Sequence, residues 1–274
     1  MKHVFGNQFL RSAVARLRIG HIQHIKDRIS SVSVFHLAPS MIDDARKISL
    51  EPDVIFNHKR IGGGGLCDGS PNTNIYATNY EMIADMLAND LILGWVGGKY
   101  EIGPRALGNR SILAAPFQVS TKVRLNEIKQ REQFRPIAPV CLEEEAARWF
   151  GCNHASPYML YTHRVRTDAL AAVTHVNGTA RIQTVSVATN RKLYELLSAF
   201  KARTGYGVLC NTSLNFKGRG FINKIDDLST YVVEHKLDGF VVEDKAYFLK
   251  SSTSYQAYLR MPNSIAAERS RIHA

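Results

Sequence analysis

The chain has 274 residues, of which 45% are hydrophobic and 22% are charged, the proportions of an ordinary globular protein that can bury a substantial core. Its unbroken apolar runs, such as Leu91–Leu93, are far shorter than the roughly 20 residues that a membrane-spanning helix needs, so no membrane partner is expected. The formal net charge of +11 predicts an anionic partner, such as a nucleotide, a phosphorylated substrate or nucleic acid, without choosing among them.

The N-terminal extension, residues 1–60, has five basic residues and no acidic one over Met1–Lys26. An arginine-rich, acid-poor start occurs in targeting segments. A basic amphipathic helix or a remnant of a longer protein explains it as well, and we favour these two interpretations. His21 and His24 are spaced to share one helical face, but no acidic or cysteine partner lies nearby, so we expect no metal there.

The rest of the chain divides into a linker, a folded domain and a tail. The four glycines Gly62–Gly65 predict a boundary, with a linker over residues 61–78. From residue 79 to 250, helical and strand-like patterns alternate. This alternation predicts an α/β fold, with α+β as the alternative, built around a twisted mixed sheet that is flanked by helices. The polar composition of residues 251–274 predicts a frayed tail.

Apolar periodicity places the elements of the folded domain. Asn79 has the side chain of a helix N-cap, and the helix after it is predicted to extend to about Asn89. Gly205 predicts the end of a second helix, at residues 189–204. Further helices are predicted at residues 120–131, 143–150 and 227–236. Strands are predicted at residues 91–96, 208–210, 239–243 and 246–249.

A β-hairpin is predicted over residues 174–185, because Asn177-Gly178 is a strong turn signal and β-forming residues flank it. Arg181 and Gln183 occupy alternate positions of its second strand and therefore point to one face. His175 has the chemistry of a general base, but a lone strand histidine is more often a hydrogen-bonded structural residue, and both interpretations stay open.

The cysteines give no sign of a metal site. They form no CxxC pair, and their spacing matches no metal-binding pattern. Reduced thiols are typical of proteins in the cytoplasm. We therefore expect a cytoplasmic location and no metal site built from the protein's own ligands. The four residues are Cys67, Cys141, Cys152 and Cys210.

A basic stretch, residues 94–139, is the strongest candidate for a ligand site. Two of its arginines, Arg105 and Arg135, stand beside glycine or proline in rigid turns, and the planar guanidinium group suits bidentate binding of phosphate or carboxylate. Residues 211–215 follow a buried strand and offer hydroxyl and amide groups that suit phosphate and ribose oxygens. An ordinary turn closed by Asx and Ser/Thr hydrogen bonds has the same composition. The sequence thus predicts a site for a phosphate-rich ligand.

Four motifs occur in an order and spacing that resemble the NodU/CmcH family of O-carbamoyltransferases. They are EIGPRALGNRSILAAP at residues 101–116, IKQREQFRPIAPV at 128–140, HVNGTARIQTV at 175–185 and LCNTSLNFKG at 209–218. The resemblance covers residues 79–250 and matches the C-terminal domain of that family, which is similar to YrdC, the threonylcarbamoyl-adenylate synthase. It implies a YrdC-like fold.

The resemblance also implies a reaction. Domains of this kind make carbamoyl-adenylate from ATP and carbamoyl phosphate, with Mg²⁺ brought by the ATP, and release phosphate and pyrophosphate. A second, metal-binding domain then passes the carbamoyl group to a hydroxyl of a nodulation-factor sugar or an antibiotic precursor. Residues 1–78 are too few to form that domain, so the resemblance implies a separate acceptor subunit.

The site residues implied by the resemblance fall in the four motifs. The KxR and SxN signatures of YrdC-type domains correspond to Lys129 with Arg131 and to Ser213 with Asn215. The catalytic residues would be Lys129, Arg131, Arg135 and Arg181. The nucleotide- or substrate-binding residues would be Arg105, Arg110, Asn211, Ser213, Asn215 and Lys217, the last standing where the family has arginine.

Two other functions remain open on the sequence alone. The net charge of +11 is also compatible with a basic module that binds RNA or nucleotides. Aromatic residues are not interleaved with the basic motifs as base-stacking surfaces require, which makes nucleic acid the weaker interpretation. The third interpretation is a truncated, inactive remnant of a longer enzyme.

Overall fold

The computed structural model describes residues 72–265 except 99, 102, 217–219 and 244. The predicted extension over residues 1–60, the glycine-rich boundary, Cys67 and the candidate ligand residue Lys217 therefore lie outside the described residues. In the part that the structure describes, no helix combines the length and the hydrophobicity that crossing a membrane would take.

The described chain alternates strands and helices. The strands are β1 Thr73–Ala77, β2 Leu93–Val96, β3 Arg110–Ala114, β4 Ala138–Leu142, β5 Thr162–Arg164, β6 Thr179–Arg181, β7 Gln183–Val185, β8 Val208–Ser213, β9 Gly239–Val242 and β10 Lys245–Leu249. The α-helices are α1 Tyr80–Ala88, α2 Val119–Ile128, α3 Ala146–Phe150, α4 Arg191–Thr204, α5 Ile225–Glu234 and α6 Thr253–Leu259. Short 3₁₀ turns lie at Glu143–Glu145 and Asp168–Leu170.

Eight of the strands form one mixed sheet in the order β1-β10-β9-β2-β3-β8-β4-β7. The pairs β2 with β9 and β4 with β7 are parallel, and the other neighbours are antiparallel. Strands β5 and β6 form a separate antiparallel ribbon. The predicted α/β class, with a mixed sheet flanked by helices, is confirmed.

Both faces of the sheet are buried. Side chains of a strand alternate between its faces, so Ile112 joins one apolar cluster and its neighbour Leu113 joins the other. Helices α1 and α4 pack on the second face through residues such as Met86 and Leu196. Strands covered on both faces need not alternate apolar and polar residues. Strands β3 and β4 therefore show no such alternation and were not predicted as strands.

The folded part of the chain extends further at both ends than the sequence predicted. Strand β1 lies within the predicted linker, but it pairs antiparallel with β10 as an edge strand. Helix α6 lies within the predicted tail, where the Ser252 side chain caps it and Tyr255 and Tyr258 are fully buried. Both predictions were wrong for these residues, because the polar loops beside them obscured short elements that are stabilised by distant partners.

The predicted hairpin over residues 174–185 was wrong, although its turn exists. The Gly178 amide donates to the His175 carbonyl at 2.9 Å, and Gly178 has φ of 73°. Beyond the turn the chain divides into two short strands with different partners. Strand β6 pairs with β5, and β7 pairs with β4. Pairing with strands that are distant in sequence replaces the local hairpin.

Candidate functional site

One end of the main sheet collects most of the candidate residues. Because β2, β8 and β9 run opposite to β3, β4 and β7, the first three end where the other three begin. We call this end the cationic edge. It carries Arg105 between β2 and β3, residues 129–135 before β4, Arg181 before β7, and Ser213 with Asn215 at the end of β8.

The loop between β2 and β3 is held by the carboxylate of Glu101. Its Oε1 accepts hydrogen bonds from the amides of Leu107 at 2.7 Å and Asn109 at 3.0 Å, and its Oε2 accepts one from the Arg110 amide at 3.1 Å. Burial raises the pKa of Glu101, although these amides oppose the change. The tip of the loop is exposed and carries Arg105, whose Nη1 donates to the Pro104 carbonyl at 3.1 Å.

Asn211 connects the end of β8 to this loop. Its side chain is buried, and its Nδ2 donates to the Ala106 carbonyl at 3.1 Å and to Gln183 Oε1 at 2.8 Å. Gln183 Nε2 in turn donates to the Leu107 carbonyl at 2.8 Å. The two amides tie β8 and β7 to the loop that bears Arg105, and the ligand contact of Asn211 stays a prediction.

Arg110 is likewise structural. Only 1% of the residue is exposed, and its guanidinium donates to the carbonyls of Gly97 at 3.1 Å and Asn109 at 2.6 Å and to Asn223 Oδ1 at 3.1 Å. The guanidinium carbon also lies 5.5 Å from the ring centroid of Tyr100. Burial lowers the pKa of Arg110. The guanidinium group of Arg110 thus holds the turn around β3, and the place of Arg110 in the anion pocket stays a prediction.

Lys129 stabilises the polar end of β8. Its Nζ donates to the Ser213 carbonyl at 2.6 Å, to Asn215 Oδ1 at 2.8 Å and to the Asn215 carbonyl at 3.3 Å. The Ser213 hydroxyl also donates to Asn215 Oδ1, at 2.6 Å. An ammonium has three donors, and all three have partners here. Lys129 therefore shapes the 213–215 loop, and its role toward a ligand goes through that loop.

Four arginines form a cationic cluster, which we define as Arg105, Arg131, Arg135 and Arg181. Burial, and then the charges of Arg135 and Arg181, lower the pKa of Arg131. Burial, and then the charge of Arg105, lower the pKa of Arg181. Arginines depress one another's pKa only when their charges are close, so Arg131 lies near Arg135 and Arg181, and Arg181 lies near Arg105.

The turn that presents two of these arginines depends on Asn126, which the sequence did not identify. Asn126 is fully buried; its Oδ1 accepts from Arg131 Nε at 2.7 Å, and its Nδ2 donates to the Arg135 carbonyl at 3.1 Å. Asn126 lies on α2, within the helix predicted at residues 120–131. Its position beside the apolar Leu125 was the available signal, because Asn126 falls on the buried side of the helix.

Arg181 is the member of the cluster that points most directly to a ligand. Its Nε is buried and has no hydrogen-bond partner among the described residues. A buried donor without a partner is costly, and a buried cation beside other cations is more so. An anion bound among these arginines would remove both costs.

The carboxylates at the cationic edge are already engaged. Glu101 accepts three amides, as described above. Glu243 accepts from the Gly98 amide at 2.8 Å and pairs with Lys192. Glu132 lies 3.9 Å from Arg135 Nη1. The described residues here therefore suit an anion better than a free divalent cation.

A cavity of about 640 Å³ lies at the opposite end of the sheet, past the end of β4. Glu144, Arg148 and Lys201 are among the residues that line it. These charges are mixed, and none of the candidate residues belongs to the lining. We therefore place the functional site at the cationic edge.

We expect the stability of the fold to depend on pH through Lys129. Burial, and then the charge of Arg131, lower the pKa of Lys129 to about 7. An unfolded lysine titrates near pH ~10.4, so between these values the unfolded chain binds more protons and stability rises with pH. Below the lower value the folded protein carries the full cost of the buried charge.

The test compares wild type with Lys129→Met, which does not titrate, by urea unfolding at pH 7, 8 and 9. The free energy of unfolding of wild type minus that of the variant should increase from pH 7 to pH 9. We expect an increase on the order of 1 kcal/mol, because solvent partly screens the half-buried charge. Because all other groups titrate in both proteins, the difference isolates Lys129. A difference that stays constant with pH would contradict the inferred burial of the charge.

Residues 84–248 match the family model described as carbamoyltransferase C-terminus, which is more than half of the chain. The chain is 52% identical over 169 residues to a 3'-hydroxymethylcephem-O-carbamoyltransferase of Amycolatopsis lactamdurans, covering 61% of this chain and 32% of that protein. It is 45% identical over 166 residues to nodulation protein NolO of Bradyrhizobium diazoefficiens, covering 58% and 30%. The matched region thus spans about a third of the length of these relatives.

Among solved structures, full-length HypF in its phosphate- and nucleotide-bound form aligns with a TM-score of 0.43 and 13% sequence identity. The alignment covers 64% of this chain and 23% of that chain. A similarity this low supports no inference, and the YrdC-like fold stays a prediction.

Proposed function

Because the chain belongs to the carbamoyltransferase C-terminus family, we propose that it forms carbamoyl-adenylate from ATP and carbamoyl phosphate. The activated carbamoyl group would then serve the O-carbamoylation of a hydroxyl acceptor, such as a nodulation-factor sugar or an antibiotic-like metabolite. The observation that carries the proposal is the cationic cluster at one end of the sheet, with the buried, unpartnered Arg181 Nε inside it.

The proposed reaction brings several negative charges together. Hydrolysis of carbamoyl phosphate gives carbamate and phosphate. A carbamate oxygen attacks the α-phosphorus of ATP, the bond from that phosphorus to the β-phosphate bridge breaks, and pyrophosphate leaves. Cations fixed in advance stabilise the charge that develops in such a step and position the reactants.

The arginines of the cationic cluster have the donors for this work. In the proposal, Arg131, Arg135 and Arg181 bind the phosphates and the carbamoyl end, and Arg105 on its exposed loop closes over them. Ser213 and Asn215, which Lys129 holds in place, line the nucleotide. Mg²⁺ would arrive with ATP, since nucleotide phosphates and water provide most of its ligands. Delivery of Mg²⁺ by ATP agrees with the cationic edge, where the described carboxylates already have hydrogen-bond or ion-pair partners.

We propose that transfer to the acceptor takes place at a site outside the region that matches the family. The curated relatives are about three times as long as the region that matches this chain. We propose that a metal-binding partner supplies the acceptor site, and that the two subunits act in the cytoplasm.

The test uses the full chain with ATP and carbamoyl phosphate, and follows pyrophosphate. We expect pyrophosphate release only when both substrates are present. Without an acceptor, the amount of pyrophosphate should stay near the amount of enzyme for as long as the intermediate remains bound. Absence of release above a Lys129→Ala control would favour an inactive remnant. Salt-sensitive RNA binding without release would favour the nucleic-acid module.

A further inference from the structure

Cys152, His154 and His163 meet on the far side of the ribbon that carries Arg181. Cys152 follows α3 directly, and His163 lies on β5. One potential ligand atom from each residue lies within 4.8 Å of the other two. The Cys152 Sγ lies 3.8 Å from His154 Nδ1 and 3.9 Å from His154 Nε2. The ring centroids of the two histidines are 5.5 Å apart.

A second, independent observation indicates a missing ligand. The Nε2 atom of His163 is buried and has no hydrogen-bond partner among the described residues. Buried polar atoms are normally satisfied by protein or by an ordered ligand. The Cys152 thiol is buried too, and donates only locally, to the His154 carbonyl at 3.1 Å. One cation between the three side chains would satisfy the orphaned nitrogen.

We propose that Cys152, His154 and His163 bind one Zn²⁺ ion. Zinc favours tetrahedral sets of thiolate and imidazole, with Zn–S near ~2.3 Å and Zn–N near ~2.0–2.1 Å, which places neighbouring ligand atoms roughly 3.5 Å apart. Small side-chain rotations bring the present atoms to that spacing. On binding, Cys152 loses its thiol proton to solvent and the histidines bind as neutral rings. Water completes the fourth position.

The proposed site differs from the sequence-based prediction of no metal site. The sequence has no clear signal for it, because Cys152 and His154 are two residues apart and His163 lies on a separate strand. The ion would also position the candidate site. On the β5–β6 ribbon, Thr162 lies opposite Arg181 and His163 lies opposite Ala180. Zinc at His163 would therefore fix β5 to the turn after α3 and, through the pairing of β5 with β6, restrain the strand that carries Arg181.

The test titrates the full, metal-free chain with Co²⁺, which reports tetrahedral sites by its visible absorption and bound thiolate by a near-ultraviolet charge-transfer band. We expect one equivalent to saturate both signals, and Zn²⁺ to displace the cobalt. Cys152→Ser should lose the thiolate band. His154→Asn, at an exposed position where folding is not at risk, should weaken binding at least tenfold, in line with the loss of one zinc ligand.

Two matched controls should keep the full signal. Cys210→Ser removes another buried thiol, and the pair His21→Asn with His24→Asn removes histidines outside the described residues. Circular dichroism confirms folding of each variant. Absence of any tetrahedral cobalt signal at one equivalent would overturn the proposal, and so would a signal that persists in Cys152→Ser combined with His154→Asn.

Discussion

Arg181→Ala is expected to lower carbamoyl-phosphate-dependent pyrophosphate formation by about 100-fold or more, with little change in the free energy of unfolding. Removing one fixed donor to a developing anion typically costs ~10²–10³ in rate. Stability should hold, because Arg181 Nε makes no hydrogen bond in the described structure and its charge is repelled by Arg105. Single-turnover pyrophosphate release and urea unfolding measure the two effects.

Two variants give this experiment its controls. Arg181→Lys keeps the charge but loses the bidentate fork, so its rate should fall between those of wild type and Arg181→Ala. Arg148→Ala removes an arginine at the opposite end of the sheet and should keep the wild-type rate. An Arg181→Ala protein with wild-type turnover, or one that loses rate only because it unfolds, would remove Arg181 from the site.

Arg110→Met should have the opposite profile, with a loss of stability of about 3–5 kcal/mol, the range seen when one partner of a buried charged network is removed. The variant leaves the carbonyls of Gly97 and Asn109 and the Asn223 side chain without their donor. Each buried acceptor left unpaired adds its own desolvation cost. Urea unfolding monitored by circular dichroism measures the change.

Arg110→Lys is the matched variant, because it keeps a positive charge but cannot reach three acceptors in one plane. It should recover only part of the lost stability. The structural assignment of Arg110 fails if Arg110→Met unfolds like wild type but loses affinity for ATP. That outcome would return Arg110 to the ligand site that the sequence predicted.

The contrast between Arg181 and Arg110 shows which features of the candidate site could be predicted from the sequence. The sequence predicted a site for a phosphate-rich ligand in the basic stretch, residues 94–139, and in residues 211–215 after a buried strand. It could not separate ligand-facing arginines from buried ones. Asn223, a partner of Arg110, is 113 residues away in the chain. When burial of a side chain depends on partners this far away in the chain, the local sequence has no pattern that predicts it.

The same reasoning explains the other differences. Local turn chemistry predicted the bend at Asn177-Gly178, but the partners of β6 and β7 come from elsewhere in the chain. Gln183 supports the candidate site through a loop that is distant in sequence. Asn126 supports it through the turn that follows its own helix, but its burial has no clear local signal. The Cys152 cluster depends on the β5–β6 ribbon, which had no strong sequence signal. Alternation of helices and strands is local, and the α/β class was therefore predictable.

Hydrogen–deuterium exchange of the full chain, with and without ATP and carbamoyl phosphate, tests most directly whether one ligand site lies at the cationic edge. We predict that the ligands slow amide exchange in residues 103–109, 131–137, 180–183 and 213–216, and that Arg181→Ala abolishes this protection. Protection confined to residues 142–148 and 198–205, around the cavity at the other end of the sheet, would contradict it.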